Sequence, residues 1–331
     1  MRALIALLIS LPLLGGCVLV LTPFDWFGDE SGLVEHVVRG EGDAKILLVS
    51  VDGFISDQPT QRAFGLVQEP STLDRVATEL RRAEADPDIR GVVLRINSPG
   101  GGVTASDEIF HRLRRFAEDQ EVPVVAALGS VAASGGYYVA LAADEILAHP
   151  TTVTGSIGVI LVGLNIDGLM DKIGVRDETF TSGPHKDLLS PLRGVTDEER
   201  DIVQGVLDGL FERFVHVVDG RRGGKLDATH RATITDGRIF NAPQAESLGL
   251  VDGIGRLDDA IDRVREKAGL ENARVIRYTR EGGRADTVYS RGGGMPTAGG
   301  APAQVNILPL DLGLSAASSA QFLYLWRPGR E

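Results

Sequence analysis

The sequence predicts an α/β protein built on a largely parallel sheet. From Lys45 onward, short apolar runs of strand length alternate with amphipathic stretches of helix length, the pattern of βαβ units. Hydrophobic residues make up 43% of the 331-residue chain and charged residues 24%, an ordinary globular balance with ample material for a core. Glycine reaches 41 residues, which suits many tight turns and close backbone approaches.

The chain opens with MRALIALLISLPLLGGCVLVL, a short positive start followed by an apolar run and small residues, which describes an export signal over residues 1–24. Two readings stay open. Leu14-Gly15-Gly16-Cys17 looks like a bacterial lipobox, with Cys17 lipidated as the mature N-terminus. Alternatively, the apolar stretch from Ala3 to Leu21 is an uncleaved transmembrane anchor. Both readings place the remaining chain outside the cytoplasm, tethered to a membrane. Cys17 is the single cysteine, so no disulfide forms within the chain and stability comes from packing. Residues 25–44 are polar and glycine-containing and read as a tether.

The candidate domain runs over 45–280. KILLVSVDGFI is a buried strand, STLDRVATELRRAEADP a helix ended by Asp86-Pro87, and GVVLRIN a second strand. In SPGGG, Ser98-Pro99 is expected to turn the chain after Asn97. Gly100-Gly101-Gly102 then leads into TASDEIFHRLRRFAED, a helix with Ile109, Phe110, Leu113 and Phe116 on one face. PVVAALG is a third strand, and a helix is expected over Ala133–Ala142, around Ser134. Further short strands are expected at Glu145–Ala148 and Arg176–Thr181. Thr196-Asp197-Glu198-Glu199 is a capping box opening a long helix, whose apolar stripe from Ile202 to Val218 is expected to face the core. Residues 281–304, rich in Gly, Ala and Pro, read as a flexible segment. Residues 305–331 form an apolar tail containing FLYLW, too broken to span a bilayer and expected to dock in a groove of its own or a neighbouring subunit.

With a net charge of −12 and a pI near 5.0, the chain lacks the basic footprint of a nucleic-acid binder. The chemistry lies elsewhere. In VAASGGYYVA, Ser134 sits between two alanines and two glycines just after an apolar run, where substrate and backbone can both approach closely. A serine hydroxyl is a weak nucleophile until a base accepts its proton. None of the six histidines (His36, His111, His149, His185, His216, His230) stands in a setting that marks it as that base. Lys186 is the better candidate, in TSGPHKDLLSP, where Gly183-Pro184 and Ser190-Pro191 stiffen the loop. A lysine acts as a base only if its pKa falls from ~10.4 toward ~7, about 4–5 kcal/mol of environmental bias. A lysine in such a loop is more often a plain surface charge. His185 is its neighbour, and in an extended loop only one of the two points toward Ser134. The glycine run of SPGGG exposes backbone amides of the kind an oxyanion needs, although it also reads as a plain tight turn, and the Gly135 amide is a second donor. It is neither GxxxxGK[ST] nor GxGxxG.

NSPGGG after a strand, AASGGYY opening a helix, TGSIGV and then SGPHKD together resemble the signal peptide peptidase A family of serine peptidases, in its short form. The resemblance covers most of Lys45 to about Tyr278. It implies the Clp-protease/crotonase-like fold of repeated ββα units, with Ser134 as nucleophile and Lys186 as general base. It also implies the Gly101 amide in the oxyanion hole and Ser156 of TGSIGV orienting the lysine amine. A ring-shaped homo-oligomer with composite active sites is the family's assembly. The Clp protease subunit shares the SPGG turn but uses a histidine base, and this chain has none in the corresponding TVTGSIGVI. The expected function is therefore a membrane-associated endopeptidase acting on signal peptides or similar apolar peptides, with no metal or organic cofactor. The alternatives are a catalytically idle peptide-binding scaffold at the membrane, or a crotonase-type acyl-CoA enzyme.

Overall fold

The computed structural model describes residues 32–62, 67–280, 283, 285–290 and 321–326. In chain order the strands are β1 (Leu33–Arg39), β2 (Lys45–Ile55), β3 (Thr60–Arg62), β4 (Val67–Glu69), β5 (Ile89–Gly102), β6 (Val124–Ala133), β7 (Glu145–Ala148), β8 (Val153–Gly155), β9 (Ile160–Leu161), β10 (Ile239–Asn241), β11 (Gly253–Ile254), β12 (Arg274–Arg280) and β13 (Phe322–Leu325). The helices are α1 (Thr72–Glu84), α2 (Val103–Asp119), α3 (Gly135–Ala140), α4 (Asp167–Ile173), α5 (Asp197–Arg222), α6 (Arg231–Ile234), α7 (Ala242–Ser247) and α8 (Leu257–Lys267). The main sheet runs β1-β12-β2-β5-β6-β7-β11, and every pairing from β12 to β11 is parallel. The expected α/β architecture with a largely parallel sheet is thus the one found.

Both faces of the central strands are covered, so their side chains sort by alternation rather than into an inside and an outside. In β2, Leu47, Val49 and Val51 enter the larger core with Val76 and Leu80 of α1 and Ile109 and Leu113 of α2. Ile46 and Leu48 enter the smaller core on the opposite face, with Ile261 and Val264 of α8. Each such buried aliphatic side chain contributes about 1.5–3 kcal/mol, which is how a chain whose only cysteine is Cys17 holds together.

The glycine run after Asn97 does not turn. β5 continues through Ser98, Pro99 and the three glycines to Gly102, and α2 starts at the next residue. Two register shifts absorb the proline, one opposite β2 between Asp52 and Phe54 and one opposite β6 between Ile96 and Ser98. The Ser98 hydroxyl donates to Gly53 O at 2.6 Å and accepts the Gly100 amide at 3.0 Å, supplying partners that the irregular ladder omits. Because β2 extends to Ile55, Gly100 and Gly101 still have strand partners, and the strand persists.

Other expectations are corrected in the same way. Within the stretch read as a tether, Leu33–Arg39 is a strand: β1 pairs antiparallel with β12, and Glu35 meets the Lys45 ammonium at 2.9 Å. Arg176–Thr181 forms no strand, being exposed throughout. The helix expected over Ala133–Ala142 is the shorter α3, because β6 runs through Ala133. The capping box at Thr196 and Glu199 forms as expected, but the stripe of α5 faces the core only in its second half. Phe214 and Val218 are buried, whereas Ile202 and Val206 are exposed. Part of the segment read as flexible is packed, since Val288 enters the smaller core. Residues 1–24 with Cys17, and 291–304, lie outside the described residues.

Candidate active site

β6 and α3 meet at Ser134, which takes φ 52° and ψ −117°. A non-glycine residue rarely holds a positive φ, and such strain persists only where the surroundings over-determine it. Here the Ser134 amide donates to Gly155 O at 2.8 Å, and Ser134 O accepts the Tyr138 amide at 2.8 Å. The residue is 1% exposed. Its small neighbours have a steric reason: a Cβ on Gly135 would stand 2.5 Å from Ser106 Oγ and 3.2 Å from Gly100 Cα.

The glycine run of β5 lies directly against this turn. A Cβ on Gly100, whose φ is 104°, would lie 2.8 Å from the Gly135 nitrogen. The two candidate oxyanion segments, at Gly101 and Gly135, are therefore in backbone contact. TGSIGV joins them from the other side. β8 pairs with β6 so that Gly155 faces Ala133, and the Ser134 hydroxyl donates to Gly158 O at 3.5 Å. Ser156, 7% exposed with φ 52°, is fixed by its amide bond to Arg238 O at 2.7 Å. The fold thus brings Ser134, Gly135, Gly101 and Ser156 into one neighbourhood.

Lys186 is not among them. It stands exposed on the loop between α4 and α5, and no hydrogen bond joins it to Ser134. His185 does not replace it: its Nε2 lies 3.5 Å from Glu198 Oε1. The loop is nevertheless anchored. Arg193 donates to both carboxylate oxygens of Asp187, at 2.7 and 2.8 Å, and also to both of Glu199 at the start of α5. Its hydrogen bonds hold the Asp187 carboxyl below the usual carboxylate range and draw Glu199 down to about 2. Sequence reasoning missed this clamp, since the spacing of Asp187, Arg193 and Glu199 fits no motif.

Sequence reasoning expected the apolar tail to dock in a groove of its own or a neighbouring subunit, without identifying the groove. β13 inserts between β5 and β9, antiparallel to both: Tyr324 pairs with Gly101, Leu325 with Gly100, Leu323 with Ile160. The Trp326 amide adds a bond to Pro99 O at 2.8 Å. The Tyr324 ring is buried against Tyr138, at 5.2 Å between centroids, and Phe214, at 4.7 Å. Its hydroxyl donates to Leu210 O at 2.9 Å, and burial pushes this phenol well above its ordinary pKa. Burial does the same to Tyr138, reinforced by its bond to Asp107, which Arg213 pairs at 2.9 Å. A separate cavity of about 390 Å³, lined by Asp52, Arg95, Asn97, His149 and Arg256 among others, includes none of the expected site residues. Among the described residues no cluster of His, Cys, Asp or Glu is arranged to hold a metal ion, and no helix is long and apolar enough to cross a membrane.

Comparison with known proteins gives the chain's relatives. Residues 117–271 match Peptidase family S49, and residues 66–153 match the Clp protease family. A putative signal peptide peptidase SppA of Enterococcus faecium is 37% identical over 253 residues, covering 76% of this chain and 72% of that protein. A putative protease of Synechocystis is 41% identical over 184 residues, covering 56% of this chain and 65% of its own. Protease 4 of Salmonella typhi is 34% identical over 208 residues, which span 63% of this chain but only 33% of that longer protein. With a relative of this identity aligned over most of both chains, and the Ser134 turn and glycine strand in register on a Clp-like sheet, the chain belongs to the signal peptide peptidase A family, peptidase family S49.

Proposed function

We propose that the chain is a serine endopeptidase in which Ser134 is the nucleophile and Lys186, supplied by a neighbouring copy, is the general base. The observation that carries this reading is the backbone of Ser134, buried and held at φ 52° where a strand passes into a helix beside a run of glycines. The Ser134 hydroxyl attacks the peptide carbonyl while Lys186 takes its proton. The amides of Gly101 and Gly135 hold the tetrahedral oxyanion, and Lys186 returns the proton to the leaving amine. Water then hydrolyses the acyl-serine, again with Lys186 as base. Ser156 orients the lysine amine. The scheme uses no metal or organic cofactor.

A neighbouring copy is invoked because Lys186 is exposed and makes no hydrogen bond to Ser134 of its own chain, while the segment between β9 and α5 that carries it also exposes apolar side chains. Leu164 is 61% exposed, Ile173 65% and Phe180 96%, and surface of this kind is normally covered by association. A second copy docking there carries its Lys186 toward a Ser134 that lacks a base, and repetition of that contact gives a ring. Signal peptides and similar apolar segments are the substrates, by likeness to the Enterococcus relative. The export signal of residues 1–24, through a lipid on Cys17 or a membrane anchor, holds the enzyme at the outer side of the membrane where such peptides remain.

The test is fluorophosphonate labelling from about pH 6 to 10 of wild type, Ser134→Ala and Lys186→Ala. Labelling is expected only in wild type, rising through a lysine-like transition below ~10. Mixing the two inactive variants restores part of it, since Ser134 of one copy meets Lys186 of another. An unlabelled wild type overturns the peptidase reading; labelling that survives Lys186→Ala overturns the base.

A further inference from the structure

The smaller core does not close at the carboxyl ends of its strands. Beyond Val93 in β5 and Ala127 in β6, strand alternation sends Arg95, Asn97 and Gly129 toward the same face. There the cavity of about 390 Å³ opens, walled by Leu128, by Leu257 at the start of α8 and by Tyr289. Its volume falls in the ~300–1,000 Å³ range of small-ligand pockets, and ligands of open α/β sheets sit beyond the carboxyl ends of the strands.

The polar groups around this cavity are unequally engaged. Most acceptors are taken. Asp52 Oδ2 accepts from Arg95 at 2.9 Å, Asn97 Oδ1 from the Val131 amide at 3.2 Å, and His149 Nδ1 from the Thr151 amide at 3.3 Å. The donors are left over. Asn97 keeps its Nδ2 hydrogens, and a neutral His149 that accepts at Nδ1 carries its proton on Nε2. Arg95 Nε is buried without a partner, and the exposed Arg256 enters no ion pair among the described residues. The carboxylates in the first turn of α8 do not offset this: Asp258 pairs with Arg39, and Asp259 accepts the Arg256 amide at 2.7 Å. Two guanidinium groups against the one carboxylate of Asp52 make the cavity a cationic spot on a chain of net charge −12.

From this imbalance we infer that the cavity is a binding site for a small organic anion, with a carboxylate or phosphate head on an apolar body. Arg256, His149 Nε2 and Asn97 Nδ2 supply the donors to the head, while Leu128, Leu257 and Tyr289 take the body. The free C-terminus of a short peptide and a phosphate monoester share this chemistry. The site is independent of the peptidase reading, since none of the residues placed around Ser134 lines it.

The test is titration calorimetry on the full chain carrying Ser134→Ala, so that no peptide is consumed. The probes are N-acetyl-Ala-Leu as the free acid, the same compound as its amide, and phenyl phosphate. At least one of the two anions is expected to bind with a Kd of about 1 mM or tighter, and the amide about ten-fold more weakly than that anion. Arg256→Ala is expected to weaken the anion about ten- to hundred-fold, and His149→Ala about two- to ten-fold. Arg256 is exposed, so its replacement leaves the fold intact, and Arg256→Lys keeps the charge and gives an intermediate affinity. Binding of the acid alone assigns a peptide end, of phenyl phosphate alone a phosphate ester, and of both a site that reads the charge of the head. No binding of either anion at about 1 mM, an amide that binds as tightly as the anions, or affinities unmoved by Arg256→Ala overturn the inference.

Discussion

Ser134 donates its backbone amide to the carbonyl oxygen of Gly155 at 2.8 Å, so the turn bearing the candidate nucleophile is stitched to the segment bearing Ser156. Gly155 has φ 85°, and a Cβ there would stand 2.7 Å from the Phe240 ring. Gly155→Ala therefore has to move either the ring or the turn. We expect it to lower unfolding stability by about 1–3 kcal/mol in denaturant titration and to slow labelling of Ser134. Unchanged labelling would show that the bond does not hold the serine in its reactive conformation.

Arg193 is expected to position the Lys186 loop without touching the reacting atoms. Arg193→Ala should lower thermal stability, because it leaves the buried Glu199 carboxylate without its cation, and should reduce hydrolysis at temperatures below the melt roughly ten-fold, through slower turnover rather than weaker peptide binding. Arg193→Lys should rescue only part of this, because an ammonium cannot bridge two carboxylates as the guanidinium fork does.

The same clamp gives a pH dependence of definite sign. Glu199 and Asp187 have folded values below their ordinary ones, so their contribution is full above the usual carboxylate range and is lost as pH falls toward 2. Protection of residues 183–195 from hydrogen exchange, taken against the intrinsic rate at each pH, should fall below about pH 4, and Arg193→Ala should show that low protection already at pH 7. Protection independent of pH in wild type would sink this prediction.

Lys45 ties β1 to the rest of the sheet, reaching Glu35 at 2.9 Å and Asp86 at 2.7 Å. Burial works against its charge, yet the two carboxylates outweigh it and its pKa is raised. Lys45→Met leaves Asp86 buried without its cation and should cost about 2 kcal/mol, read in a urea melt. The raised pKa means that the contribution is full below the ordinary lysine range and fades as pH rises beyond it.

Burial raises the phenols of Tyr137, Tyr138 and Tyr324 well above their ordinary range and that of Tyr278 to about 12. Difference absorbance at about pH 11 should show these four phenols still protonated in the native protein and ionised in urea. The sign follows: above about pH 10 the unfolded chain releases protons that the native chain keeps, and stability falls.

The strand and helix periodicity of residues 45–133 made the sheet legible, because β2, β5 and β6 are apolar on both faces and α1 and α2 are amphipathic. Ser134 was legible through its small neighbours, whose bulk the packing forbids. The continuation of β5 through SPGGG was not, since a proline and three glycines carry turn propensities and only the long partner β2 overrides them. The Arg193 clamp was hidden because charges six residues apart on an irregular loop follow no period. The seat of the tail was hidden for a related reason: FLYL is a strand signal, but its partners lie more than a hundred residues away.

The opening between β5 and β9 admits chain in only one shape. An occupant must present its own amides and carbonyls edgewise to both strands, as Phe322–Leu325 does, and a helix has already committed those groups to itself. A peptide that arrives helical must therefore unwind over several residues to pair there, and on the proposed peptidase reading that unwinding precedes any cleavage.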